Sequence, residues 1–169
     1  QTMGVLVPES AEKHVLVPGR EIGDSWTNPD GFIDRSWTKF SGSPGGIGYD
    51  KEFDYDGLIS LDVEARMYAK SSSCYIRMPF VFNDDISNFK SLTLNARYDD
   101  GFVAYLNSVE VVRRNVGNRF SWNSAAVAGH PDSEAIWFEE IDISSSLRLL
   151  RQGTNLLAIH GMNLSAADS

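Results

Sequence analysis

The stretch Tyr98-Asp99-Asp100-Gly101-Phe102-Val103-Ala104-Tyr105-Leu106-Asn107-Ser108-Val109-Glu110-Val111 constrains the fold more than any other part of the chain. Two runs rich in β-branched and aromatic residues flank Asn107-Ser108, and Asp99-Asp100-Gly101 sits one strand length upstream. Such side chains suit a pleated, half-buried surface. Asn, Asp and Gly supply the backbone freedom that tight links between strands require. The spacing predicts a three-strand antiparallel meander over residues 91–114.

The same period of two recurs elsewhere. Cys74, Ile76, Met78, Phe80 and Phe82 share one face, with Tyr75 and Arg77 opposite. Leu92, Leu94, Ala96 and Tyr98 follow, opposed by Thr93, Asn95 and Arg97. Alternation of this kind marks half-buried antiparallel strands. Further strands are expected over residues 134–143 and 155–162. Helix is scarce: residues 144–151 predict one short helix, with Ser144 as N-cap and Gly153 as its stop, and Asp34-Arg35-Ser36-Trp37 predicts a helical turn. With no internal repeat and no low-complexity segment, the chain reads as all-β, an antiparallel two-sheet β-sandwich with one or two short helices.

At 169 residues and 42% hydrophobic composition, residues 1–169 form a single domain with enough chain for a core. A formal charge of −8 argues against nucleic acid as a partner. Arg113-Arg114 is the one basic doublet. No apolar run is long enough to cross a bilayer. The single cysteine, Cys74, excludes an internal disulfide and alternates with apolar residues, as a buried side chain would. No signal peptide is present, and Gln1 follows either a cleavage site or a cut in a longer chain.

Counting strands up and down places the long stretch 115–133 at the Asp99-Gly101 end, together with residues 160–163 and the Gly-rich segment before Cys74. Long loops gathered at one end, with short turns at the other, point to function at that end.

Trp26, Asp34-Arg35-Ser36-Trp37, Gly46-Ile47-Gly48-Tyr49, Tyr75-Ile76-Arg77 with Phe80, the Asp99-Asp100-Gly101 segment, Trp122 and residues 153–163 together resemble one family. It is the galactose-binding-like jelly-roll domains of large secreted or surface-anchored bacterial proteins. The resemblance implies a non-catalytic carbohydrate-binding accessory module that targets its parent protein to a polysaccharide or glycan. It also implies an extracellular or cell-surface location and neighbouring domains of the parent as partners. The alternative is a structural or adhesive spacer without a small ligand. Two departures stand out. Ser108 occupies a turn position where the family has Gly, so Ser108 is either strained or in a different turn. The chain ends at Ser169 where the family adds a strand, which implies excision from a longer protein.

Candidate ligand-binding residues follow from the loops and the resemblance. Trp122, flanked by Phe120 and Asn123, either stacks on a sugar ring or packs onto its own sandwich. Asp99 and Asp100 either accept hydrogen bonds from hydroxyls, ligate Ca²⁺, or cap their own loop. Arg113, Asn115, Tyr49, His130 and His160 complete the polar set, the alternatives being a solvated Arg113, a Tyr49 that seals the sheet and a His160 that is a satisfied structural group. Asp50, Glu52, Asp54 and Asp56 either ligate a structural Ca²⁺, a hard cation that needs several oxygens, or form a solvated acidic loop, since their spacing does not match an EF-hand. Trp26, Trp37 and Trp137 are expected in the core or at packed edges. No nucleophile elbow, zinc-protease pair or P-loop is present, which argues against an enzyme.

Overall fold

The computed structural model describes residues 4–168, so Gln1 and Ser169, on which the readings of the two chain ends rest, lie outside the described residues. The strands are β1 (Lys13–Leu16), β2 (Thr38–Phe40), β3 (Gly46–Gly48), β4 (Ile59–Asp62), β5 (Ser73–Phe82), β6 (Thr93–Ala96), β7 (Gly101–Leu106), β8 (Val109–Arg114), β9 (Glu139–Asp142) and β10 (Gly153–Met162). Two one-turn helices interrupt them, α1 (Glu64–Met67) and α2 (Asp132–Ala135). A six-stranded sheet has the order β2-β1-β5-β10-β7-β8. Facing it are two strand pairs, β3-β4 and β6-β9, which form a divided second layer. All pairings are antiparallel except β3-β4. The chain is an all-β sandwich.

Both faces of the large sheet are covered. On the inner face, Val15, Cys74 and Ile76 pack with Tyr49, Val63 and Met67, while Phe102, Ala104 and Val112 pack with Leu94, Ile141 and Ile143. On the outer face, Tyr75, Leu156 and Ala158 lie beneath Trp26 and Trp37. Tyr75 is 3% and Arg77 5% exposed, so the face opposite Cys74 and Ile76 is interior too. Arg77 donates to Asp34 Oδ2 at 2.8 Å and to the carbonyl of Trp26, and His14 Nδ1 lies 2.6 Å from Asp34 Oδ2. This buried network ties residues 26–34 onto the sheet.

The expected meander is corrected to a single hairpin, β7-β8. β6 pairs instead with β9, from Thr93↔Asp142 to Ala96↔Glu139. β7 has no free edge for it: β8 takes one side and β10, from Leu157 to Met162, takes the other. Residues 97–100 therefore cross between layers. The strand expected over residues 134–143 shortens to Glu139–Asp142, because Pro131 opens α2, with Asp132 and Glu134 in its first turn. The expected helix at residues 144–151 is a 3₁₀ segment, Ser144–Leu149. Ser144 does not cap it, since its hydroxyl receives Leu92 N–H at 3.0 Å and binds Asp142. Asp34–Trp37 is a turn closed by Trp37 N–H to Asp34 O at 3.0 Å.

The hairpin keeps the tight geometry despite Ser108. Asn107 and Ser108 have φ of 50° and 75°, both left-handed, as a type I′ turn requires. Asn107 is held there by its amide, which donates to Leu149 O at 2.8 Å and Asn155 Oδ1 at 2.7 Å. Gly101 answers to close approach: a Cβ there would sit 2.8 Å from Arg114 O.

Candidate ligand-binding site

Asp100 organises the end of the sandwich where β7 begins. Its Oδ1 accepts His130 N–H at 2.9 Å, its Oδ2 accepts Leu164 N–H at 2.6 Å, and its carbonyl accepts Asn115 Nδ2–H at 2.9 Å. The His130 ring stacks on Tyr98, with centroids 4.2 Å apart, and its Nδ1 lies 2.7 Å from Tyr98 O. Asp100, Asn115 and His130 are thus brought together, and Asp100 is buried. Both of its carboxylate oxygens are taken up by loop N–H groups.

Asp99 faces a different environment. Tyr55 Oη donates to its Oδ2 at 2.6 Å, bridging the acidic loop to the segment between β6 and β7. Burial pushes its carboxyl up to about 7, with Asp100 and Asp132 adding repulsion and the Tyr55 hydrogen bond opposing. Asp99 lines a cavity of about 170 Å³, located where the second layer parts between β3-β4 and β6-β9. Cys74, Ile76 and Gly161 of the large sheet contribute to its lining, and Tyr49, Tyr55, Arg97, Tyr98 and Asn163 supply polar atoms. Gly46, also in the lining, has no room for a side chain, since a Cβ would meet Leu58 O at 2.2 Å. Tyr49 is buried and closes the wall, donating to Asp168 O and accepting from Asn163 Nδ2 at 3.2 Å. Burial pushes the Cys74 thiol up to about 12, so it lines the cavity as an inert group.

Two exposed aromatic side chains adjoin residues of this lining. Ala135 of α2 lines the cavity, and the chain leaves α2 through Trp137, 72% exposed, and Phe138, whose ring lies 4.2 Å beneath the Arg97 guanidinium. Phe53 of the acidic loop, 76% exposed, lines a separate surface depression with Asp50, Lys51, Asp56 and Glu64. The loop and the start of α2 meet, because carboxylate oxygens of Glu52, Asp54 and Asp132 lie within 4.8 Å of one another. Asp50 sits apart from that group. Its carboxylate receives the N–H groups of Glu52, Phe53 and Tyr55 at 2.9, 2.8 and 2.6 Å, and these bonds hold its pKa low against the opposing effect of burial. Asp56 opens the 3₁₀ segment Asp56–Leu58.

The remaining candidates lie elsewhere. Trp122 is half-buried against the outer-face cluster of Trp26, Trp37 and Tyr75. Arg113 grips Glu110 through two 2.8 Å bonds and lies over the Phe120 ring, clamping the start of the long loop. His160 Nε2 lies 2.8 Å from Ser73 Oγ, whose proton goes to Ser124 O at 2.7 Å. Burial holds His160 down at about 4, so this neutral, enclosed pair fastens the loop to the sheet.

Trp137 corrects the expectation of a core or edge-packed residue. Read as a strand, residues 134–143 put Trp137 in phase with Ile141 and Ile143, which are buried. The helical turn at Asp132–Ala135 breaks that phase. The signal was Pro131-Asp132-Ser133-Glu134, a helix start in sequence. Tyr55 and Asp132 carried no comparable signal, being brought together only by the fold.

No family model matches the sequence, and no curated protein matches it. Solved structures do match in fold. Bacteroides uniformis β-glucuronidase 2, covalently bound to cyclophellitol-6-carboxylate aziridine, has a TM-score of 0.54 at 14% identity over 95% of this chain and 15% of its own. A calcium-binding mutant of the same enzyme gives 0.52 at 13% identity over 95% and 15% of the two chains. Ruminococcus gnavus β-glucuronidase gives 0.51 at 15% identity over 90% and 20%. The chain therefore spans about a fifth or less of these glycosidases and shares with them a β-domain fold.

Proposed function

We propose that the domain is a non-catalytic carbohydrate-binding module of a larger extracellular bacterial protein. The observation that carries this reading is a pair of exposed aromatic residues, Trp137 and Phe138, that follow the lining residue Ala135 in the chain, with Phe138 packed against the lining residue Arg97 of a cavity with convergent polar groups. Sugars present apolar C–H faces that stack on rings, and their hydroxyls need fixed donors and acceptors beside them. Asp99, Tyr55, Arg97 and Asn163 supply these. The fold's occurrence as a small part of glycosidases supports the same reading by analogy.

The acidic group suits a hard cation. Three carboxylates offer up to six oxygens, within the range Ca²⁺ takes, and Glu52, Asp54 and Asp132 belong to two segments that a bound ion would join. We place a structural Ca²⁺ there, with Asp50 shaping the loop.

Affinity electrophoresis against a panel of polysaccharides, with wild type and Trp137→Ala side by side, tests the proposal. Wild type is expected to be retarded by at least one glycan, and Trp137→Ala to lose about tenfold or more in affinity, as stacking anchors do, with an unchanged melting temperature. A spacer role is favoured by the packing of Trp26, Trp37 and Trp122 into the outer layer, and retardation by no glycan would select it.

A further inference from the structure

Resting on the reading of the cavity and its aromatic rim as a glycan site, we propose that this site accepts neutral sugar units and excludes uronic-acid units. A ring stacked on Trp137 presents the same C–H face whether its C6 is an alcohol or a carboxylate. Discrimination must then come from charge.

The charges around the opening are one-sided. Asp99 lines the cavity beside Asp100, but burial disfavours the ionisation of Asp99, so most of the charge comes from Glu52, Asp54 and Asp132, which converge where the acidic loop meets α2. The cations of the neighbourhood are each met by a carboxylate already. Arg97, which lines the cavity, pairs with Glu9 and lies over Phe138. Lys51 is held by Glu64 at 2.6 Å and Arg114 by Glu139 at 2.7 Å. A uronate would meet carboxylates, and could gain a cation only by breaking an existing pair. A divalent ion on Glu52, Asp54 and Asp132 would offset two of three charges and leave the rim acidic. Neutral hydroxyls face no such penalty, because carboxylates accept their hydrogen bonds directly.

Volume adds a second restriction. The cavity of about 170 Å³ is well below the roughly 300–1,000 Å³ of pockets that enclose drug-sized ligands. It therefore takes one ring or one substituent, with the rest of a chain lying along the rim.

The test compares each neutral polysaccharide that retards the protein with its own C6-oxidised form, in which only the primary alcohol has become a carboxylate. Titrations run in chelator and again in excess Ca²⁺. The oxidised form is expected to bind at least about tenfold more weakly, the scale of a like-charge penalty at a partly enclosed site. Asp99→Asn with Asp132→Asn should narrow that ratio severalfold, since the amide oxygen introduced by Asp99→Asn still accepts the Tyr55 hydroxyl. Should the double variant fail to fold, raising the salt on wild type should narrow the ratio instead, because exposed charges are screened. Equal or tighter binding of an oxidised form, in either condition, overturns the exclusion while leaving glycan binding intact. Neutral binding unaffected by Trp137→Ala overturns the location, and with it this inference. Retardation by neither form of any polysaccharide removes the parent reading as well.

Discussion

Replacing Asp34 by alanine is expected to be the most damaging single change on the outer face of the large sheet. Asp34 Oδ2 receives Arg77 Nε–H at 2.8 Å and lies 2.6 Å from His14 Nδ1. Arg77 is 5% exposed, donates to Trp26 O and, at 3.1 Å, to Asn28 O, and lies over the Phe32 ring. Removing the carboxylate leaves a guanidinium buried without its counter-charge, a defect that costs about 3–5 kcal/mol. For a domain of this size that is a fall in Tm of roughly 6–20 °C. Urea unfolding at pH 7 reads the difference directly. Burial alone would raise the Asp34 carboxyl, but hydrogen bonds from His14 and Arg77 outweigh it and hold the pKa low. Its stabilisation is therefore complete above the unfolded value near 3.9 and is lost as pH falls through the lower folded value, so wild type and variant should converge in acid. Adding Arg77→Met to Asp34→Ala should recover part of the loss, because no buried charge is then stranded. A loss below about 1 kcal/mol, or a double variant no better than the single, would refute the network as a buried ion pair.

Three further outcomes are expected. Ser108→Gly should stabilise the domain by about 0.5–1 kcal/mol in urea, since relief of a left-handed residue worth about 1–2 kcal/mol exceeds the entropy cost of Gly; no gain would mean that the turn at φ 75° is not strained. His160, held down at about 4 by burial, contributes stability that is full above pH 6.5 and lost as pH falls from there toward 4; His160→Gln should flatten that part of the pH–stability profile, and an unchanged slope would place its origin elsewhere. Excess Ca²⁺ over chelator should raise the melting temperature, by about 3 kcal/mol of stabilisation at a hundredfold excess over Kd, and Asp132→Asn should abolish the rise; coincident melts would leave Glu52, Asp54 and Asp132 as solvated acids.

The β-class of the fold was legible in sequence wherever one rule governed one face. Cys74, Ile76 and Phe82 alternate, and all lie in β5. Asn107-Ser108 closes the β7-β8 hairpin. Pairing was less legible, because alternation states that a strand has a buried face and says nothing of its neighbour. Leu94 and Ala96 pack against the inner face of the large sheet from the opposing layer. Their pattern is the same as if β6 lay beside β7. What settles the matter is competition for edges, and β10, which is far along the chain, takes the edge of β7.

The site was legible in a different way. Asp99 and Asp100 are consecutive and chemically identical in sequence, yet the fold separates their environments. Asp100 closes loops through two N–H groups, whereas Asp99 meets one tyrosine hydroxyl at the wall of a cavity. No local pattern distinguishes the two, since His130, Leu164 and Tyr55 reach them from three distant segments. The tryptophans follow the same logic. Trp122 sits in a long polar loop, and that loop folds back onto Trp26 and Tyr75. Trp137 sits among apolar residues in phase with a strand, and a single helical turn rotates it into solvent. A loop tryptophan can reach an apolar face that the chain provides, whereas one beside a helix end has only the face its phase allows. In this chain the exposed ring is therefore found by asking which tryptophan lacks a partner surface, and Trp137 beside α2 is that residue.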